Sequence, residues 1–105
     1  MNKTELQERL AFYHDHLYQD VLPFWLTRSM DTEYGGYFTC FNSHGDQLVS
    51  TDKYVWSQGR MVWLLAKLAE LEADTAEYLN LAQGGYEYLR DHSFLPSGHS
   101  AFLLT

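Results

Sequence analysis

Apolar residues recur at three- and four-residue steps from the start of the chain. Leu6, Leu10, Tyr13, Leu17 and Val21 share one face of a first predicted helix. Thr4 and Gln7 have capping-box spacing, which predicts Thr4 as the N-cap with Gln7 reaching back to its amide. Pro23 has no N–H and disfavours helix at Leu22, so the helix is expected to end or kink there. Phe24-Trp25-Leu26 should then lead a short second turn.

The pattern changes after Asp31. Gly35-Gly36 breaks helix, and Tyr37-Phe38-Thr39-Cys40-Phe41 reads as a strand from its aromatic and β-branched residues. Asn42-Ser43-His44-Gly45-Asp46 is a turn by composition, with Gly45 free to take positive φ, and Gln47-Leu48-Val49 is the expected return strand.

A second helix is expected from about Lys53 to Leu71, apolar on more than one side. Val55, Gly59, Val62, Ala66 and Ala69 form a small-residue stripe; Trp56, Arg60 and Trp63 form another; Leu64, Leu68 and Leu71 a third. A helix apolar nearly all round is a buried one, and the small stripe is expected to admit a neighbouring helix opposite the Trp56–Arg60 face. Asp74 and Glu77 carry a further capping signal, and Ala76, Leu79, Ala82, Tyr86 and Leu89 mark a third helix. Gly84-Gly85 inside it implies close approach by a neighbouring helix. Pro96-Ser97-Gly98 is a turn, and Ser100 to Thr105 reads as a strand with nothing after it to pair with. That predicts an unpaired edge and a chain that stops within a hairpin. Helix, Gly-rich turn and aromatic strand start occur twice, at Tyr34–Phe41 and Gly98–Leu104.

Composition narrows the function classes. At 105 residues the chain has room for one domain, residues 1–105. A net charge of −7 with no basic patch argues against nucleic acid or an anionic membrane as partner. Cys40 is alone, so no intramolecular disulfide forms, and a small strand hydrophobe is the expectation there. The charged N-terminus has no apolar core of a signal peptide, and no apolar run approaches the ~20 residues of a membrane span; a cytoplasmic location is expected. Three Trp, eight Tyr and six Phe are many for a small core; an aromatic-rich core is the first reading, and a cleft lining or a face toward a partner is the alternative.

Two segments carry a resemblance. Phe24-Trp25-Leu26-Thr27-Arg28-Ser29-Met30-Asp31 through Tyr34-Gly35-Gly36-Tyr37-Phe38, and Thr51-Asp52-Lys53-Tyr54-Val55-Trp56-Ser57-Gln58-Gly59-Arg60-Met61-Val62-Trp63, resemble the N-acylglucosamine 2-epimerase superfamily in order and spacing. Tyr86 to Thr105 resembles it more faintly. The resemblance implies the N-terminal part of an (α/α)₆ barrel: about three helices, a hairpin and an unpaired terminal strand, all-α with short β-hairpins at the mouth. It also implies a sugar 2-epimerase or aldose–ketose isomerase acting on a small-molecule sugar. Such chemistry removes a proton α to a carbonyl and returns it, which needs two acid/base groups near neutral pKa and donors where enediolate charge develops. In the family those acid/base histidines lie later in the barrel, so no residue here is assigned a catalytic role.

By resemblance Trp56 and Arg60 contact substrate, Trp56 packing on the sugar and Arg60 polarising O1 and O2. They lie four residues apart, on one helical face. The alternatives are an Arg60 paired with a structural carboxylate, Asp52 or Glu33, and Trp56 and Trp63 as plain core residues. Tyr37 and Lys53 flank the motifs as weaker candidates. His14 and His16 point to different faces and cannot share a metal; His44 belongs to a turn; His92 and His99 match no catalytic pattern. No His, Cys and carboxylate cluster has metal spacing, and Gly35-Gly36 precedes a strand rather than a helix, so neither a metal nor a nucleotide cofactor is implied.

Three readings follow: the N-terminal piece of a sugar epimerase, inactive by itself; a non-catalytic helical sugar-binding or protein-interaction module; or a shortened product without activity. Self-association through uncovered apolar surface is expected in each.

Overall fold

The computed structural model describes residues 1–72 and 76–105. Helix α1 spans Lys3–Asp15, and its N-cap is Asn2, whose Oδ1 accepts the Glu5 N–H at 2.8 Å. The helix therefore starts ahead of the expected Thr4 cap, because Asn2 supplies the first acceptor. Pro23 does not end it. His16–Val21 widens into a π turn in which Leu22 N–H reaches back to Leu17 O, and α2 (Leu22–Leu26) follows with the proline in its first turn, where no N–H is missed. Widening to an i→i+5 pattern carries the rod across the proline. None of the α1 residues is buried: Leu6, Leu10 and Tyr13 lie open, and beyond the helix Leu17 and Tyr18 pack against the core while Val21 lines the neighbouring cavity.

Strands β1 (Cys40–Phe41) and β2 (Leu48–Ser50) form the expected hairpin around Gly45, whose φ is 72°. The ladder is shorter than expected, because Tyr37 bridges Met30 instead. Strand β3 (Lys53–Tyr54) leads directly into α3 (Val55–Leu71), so that helix starts two residues late. After α4 (Ala76–His92), a Phe94–Ser100 bridge closes the Pro96–Gly98 turn and returns the chain as β4 (Leu103–Leu104). The terminal strand is not unpaired. β4 pairs antiparallel with β3, Lys53 opposite Leu104 and Tyr54 opposite Leu103. Periodicity does not reveal this partner, because a two-residue strand at the head of an amphipathic run leaves no period-2 signal.

Helices α3 and α4 pack side by side, burying Leu65 and Leu68 against Ala82, with Leu22 and Tyr37 closing the core. The buried face of α3 is Gln58, Leu65 and Leu68, flanked by half-buried Met61 and Val62. The small-residue stripe does not seat a helix within the described residues. Gly59 has open space around it and Ala66 is exposed, on the same side as exposed Trp56 and Trp63 rather than opposite them. The two stripes are centred about 100° apart on a 3.6-residue helix, so they adjoin rather than oppose each other. Gly85 admits the Tyr37 ring rather than a helix, and Gly84 faces open space. The Asp74 capping signal lies outside the described residues.

The Cα radius of gyration is 16.2 Å, against about 13 Å for a compact chain of this length. The excess reflects the α1 rod and a core that covers only one side of each helix. Sedimentation velocity of the purified chain should therefore show concentration-dependent association, and Leu6→Glu with Leu10→Glu should weaken it. A monomer over the whole concentration range would contradict this expectation.

Candidate functional site

The segment between Ser29 and Phe38 is held by backbone rather than by a sheet. Phe38 N–H donates to Ser29 O at 2.6 Å, Asp31 N–H to Gly36 O at 3.2 Å, and Gly35 N–H to Asp31 O at 3.1 Å. Gly36 must be glycine: its φ is 74°, and a Cβ would lie 2.8 Å from the Tyr88 ring and 2.9 Å from Gln58 Oε1. This tight turn delivers Tyr37 into the groove between α3 and α4.

There Gln58, fully buried, closes a two-way pair with the Tyr37 backbone. Tyr37 N–H donates to Gln58 Oε1 and Gln58 Nε2–H donates to Tyr37 O, both at 2.8 Å. The Tyr37 hydroxyl donates to Leu81 O of α4 at 2.5 Å. Burial pushes the Tyr37 phenol up to about 12, partly offset by the Gly85 backbone, so it stays a neutral donor. Tyr37 is thus a structural staple. Gln58 is the other half of it, a residue that motif spacing does not single out.

Trp56 and Arg60 emerge from the first two turns of α3, on the side away from Gln58. Both are exposed, and the Arg60 guanidinium lies 5.6 Å from the Trp56 ring centroid, a cation–π contact. Arg60 forms no ion pair among the described residues; neither Asp52 nor Glu33 pairs with it. The two border a cavity of about 390 Å³ between the α1–α2 rod, the 37–41 segment and α3, walled by Leu17, Trp25, Phe38 and Phe41 with Ser57 and Thr39 among its hydroxyls. Trp63, 66% exposed, is not a core residue.

On the other side of the same turn lies a cavity of about 650 Å³ floored by a buried ion pair. Lys53 Nζ meets Asp31 Oδ2 at 2.5 Å, the side chains 5% and 4% exposed. Asp31 Oδ1 accepts the N–H groups of Glu33 and Tyr34, each at 3.0 Å, and the ammonium sits 5.1 and 5.2 Å from the Phe38 and Tyr88 ring centroids. Burial works to raise the Asp31 pKa, but the Lys53 hydrogen bond and the two backbone N–H groups outweigh it and hold the carboxyl below its ordinary value. Tyr88 is pushed up, first by burial and then by the Asp31 charge. Both charges are taken up by each other, so Lys53 is a structural residue. The pair joins residues 22 apart, and no local spacing announces it.

The histidines stay apart: His14 beside Tyr18 and Glu72, His16 on Asp20, His92 against Tyr88, His99 on Ser97. Among the described residues no group of three or more His, Cys, Asp or Glu has metal-binding geometry, and no helix is long and apolar enough to cross a membrane. Cys40 is a half-buried free thiol on β1.

The Asp31–Lys53 pair makes stability pH-dependent with a definite sign. A carboxyl whose folded pKa is depressed stabilises above its unfolded pKa of about 3.9 and loses that contribution as pH falls through the folded value. Urea midpoints should hold from neutrality to about pH 4 and drop below it. Asp31→Asn should cost on the order of 3 kcal/mol at pH 7, since it strands a buried ammonium, and flatten the acid limb. An unchanged acid limb in Asp31→Asn would remove the pair from this role.

The architecture is that of the N-terminal part of an (α/α)₆ barrel, helices linked through short antiparallel strand pairs. A solved D-mannose isomerase superposes with a TM-score of 0.76 at 28% identity, over 90% of this chain and 23% of that one. N-acylglucosamine 2-epimerase from Bos taurus is 39% identical over 106 residues, and that from Rattus norvegicus 38% over 89 residues, covering 94% and 81% of this chain. The chain spans about a quarter of those relatives, 25% and 21% of their lengths. Residues 36–96, from the glycine turn to just past α4, match the N-acylglucosamine 2-epimerase (GlcNAc 2-epimerase) family, and the chain belongs to that family.

Proposed function

We propose that this chain is the N-terminal portion of a sugar epimerase or isomerase working at C2 of an aldose such as an N-acylglucosamine, and that Trp56 and Arg60 contact the sugar. The relatives support the sugar class: one is named for 2-epimerisation of an N-acylglucosamine, the solved neighbour for isomerisation of D-mannose. Both reactions pass through loss of the C2 proton from an open-chain aldose. Return of that proton to the other face of C2 gives the epimer, and delivery to C1 gives the ketose.

The observation that carries the residue assignment is the Arg60 guanidinium, outside every ion pair of the described residues, beside Trp56 on the open side of α3. A guanidinium donates to two oxygens at once and stays charged at every working pH. That suits O1, where negative charge develops as the C2 proton leaves, together with the oxygen of the C2 substituent, the hydroxyl of a simple aldose or the acyl oxygen of an N-acylglucosamine. The indole offers a flat apolar face to the C–H side of a sugar. The chemistry also needs an acid/base pair, and no two histidines among the described residues face each other across a cavity.

The 105-residue chain should therefore catalyse no deuterium wash-in at C2 of N-acetylglucosamine or mannose in D₂O; enzyme-dependent exchange would refute this. In a full-length barrel carrying the segment, Arg60→Lys keeps the charge and loses the fork. It should lower kcat/KM by about 1.5–3 kcal/mol of transition-state binding. Arg60→Ala should lower it further with little change in Tm. A protein that unfolds on Arg60→Ala while its folded fraction turns over normally would make the residue structural.

A second reading, a non-catalytic sugar-binding or protein-interaction module, is favoured by the almost wholly apolar walls of the cavity beside Arg60 and by the uncovered α1 face. Normal turnover in full-length Arg60→Ala and Trp56→Ala variants would favour it over the first.

A further inference from the structure

Trp56 and Arg60 are both exposed, yet the two side chains must hold a common direction to form a wall. What orients them lies behind the helix. Gln58 sits two residues from each, and at ~100° per residue both project about 160° away from it. Gln58 is the fully buried polar side chain of α3, and both ends of its amide are taken by one residue, Tyr37. Tyr37 is followed by Phe38, Thr39 and Phe41, which form the opposite wall of the cavity that Trp56 and Arg60 border.

We infer that Gln58 is a positioning residue: its two-way amide pair with the Tyr37 backbone sets the rotation of α3 about its axis and its offset from the 37–41 segment. It thereby fixes where Trp56 and Arg60 stand relative to the facing aromatic wall. Burial of a side chain of that volume does not suffice, because an apolar contact is non-directional, whereas a donor and an acceptor 2.8 Å from two fixed backbone atoms define one orientation. Gly36 makes the same demand from the other side, since a Cβ there would meet Gln58 Oε1. The inference rests on the reading of Trp56 and Arg60 as the sugar-contacting wall, but its test does not need a sugar.

The test uses Gln58→Glu and Gln58→Met in the 105-residue chain. When protonated, the introduced carboxyl restores one acceptor and one donor in nearly the same places; when ionised, it accepts from Tyr37 N–H and confronts Tyr37 O with no proton. Burial raises the pKa of such a carboxyl, so the range to scan is pH 9 to pH 5. The titratable groups around this junction are Tyr88, whose ring shares the Gly36 contact with Gln58 and carries the His92 ring and the Lys53 ammonium of the Asp31–Lys53 pair against it, and the Tyr37 phenol, which turns away to Leu81 O. Because an imidazole stands among them, the wild type is scanned in parallel as the reference.

Two signals are read by NMR: hydrogen exchange of the Tyr37 amide and the proximity of the Trp56 indole to the Arg60 guanidinium. In Gln58→Glu, Tyr37 protection at high pH should be lower on the order of tenfold, and the indole–guanidinium proximity signal should vanish. Acidification should restore both together. Gln58→Met should abolish both at every pH. A Gln58→Glu chain indifferent to pH, or a Gln58→Met chain that keeps Trp56 beside Arg60, overturns the inference. Titrating N-acetylglucosamine into the wild type then tests the wall separately: an unmoved Trp56 signal defeats the sugar-contact reading, while the latch is judged by the exchange data alone.

Discussion

The amide of Gln58 against the backbone of Tyr37 is the constraint on which the rest of this structure depends. Tyr37 would otherwise bring its peptide N–H and C=O into the core unpaired, because the bridge to Met30 uses the Asp31–Gly36 and Phe38–Ser29 backbone groups instead, a loss of roughly 1–3 kcal/mol for each stranded group. Gln58 supplies both missing partners from a helix and so replaces a neighbouring strand. Once the backbone is satisfied, the ring can pass over Gly85 and its hydroxyl can reach Leu81 O. The turn, α3 and α4 are thus joined at one point. The two segments that carry the family resemblance, around Gly35-Gly36-Tyr37 and around Ser57-Gln58-Gly59-Arg60, meet there.

The two cavities on either side of this junction differ in how their charges are used. Beneath the turn, Lys53 and Asp31 neutralise each other, and Phe38 and Tyr88 cover the ammonium, so charge is consumed in holding β3 against the 31–36 turn. Across α3, Arg60 keeps its guanidinium open with the Trp56 face beside it. That cation is exposed and outside every ion pair of the described residues, which is why the proposed sugar contact is placed there. The Lys53 ammonium is already paired and buried, and separating such a pair would cost several kcal/mol.

Much of this is legible in one dimension. The apolar period places α3 to within two residues and marks α4, Gly45 marks the hairpin turn, and the two motif segments point to the (α/α)₆ family. Other features are harder to read. Thr4 outranks Asn2 as a cap because a capping box is a stronger pattern than one asparagine. Pro23 reads as an end or a kink followed by a short second turn, and the chain answers with a π turn ahead of the proline and the short α2 that holds it in its first turn. The small-residue stripe suggests a partner helix because spacing tells which residues share a face, not what stands opposite.

The sequence by itself determined the periodicities, the glycine positions and the chemistry available: one cysteine, scattered histidines, and an arginine one helical turn from a tryptophan. These follow from local rules, since backbone hydrogen-bond spacing and steric limits on φ act within a few residues. Only the tertiary structure decided which partners those groups find. Lys53 takes Asp31 from 22 residues away, Gln58 takes Tyr37 from 21, and the short β4 finds β3 across the whole of α3 and α4. A hydrogen bond or ion pair of that kind leaves no periodic trace, because its geometry is set by how packed elements meet in space and not by the spacing of its two residues along the chain.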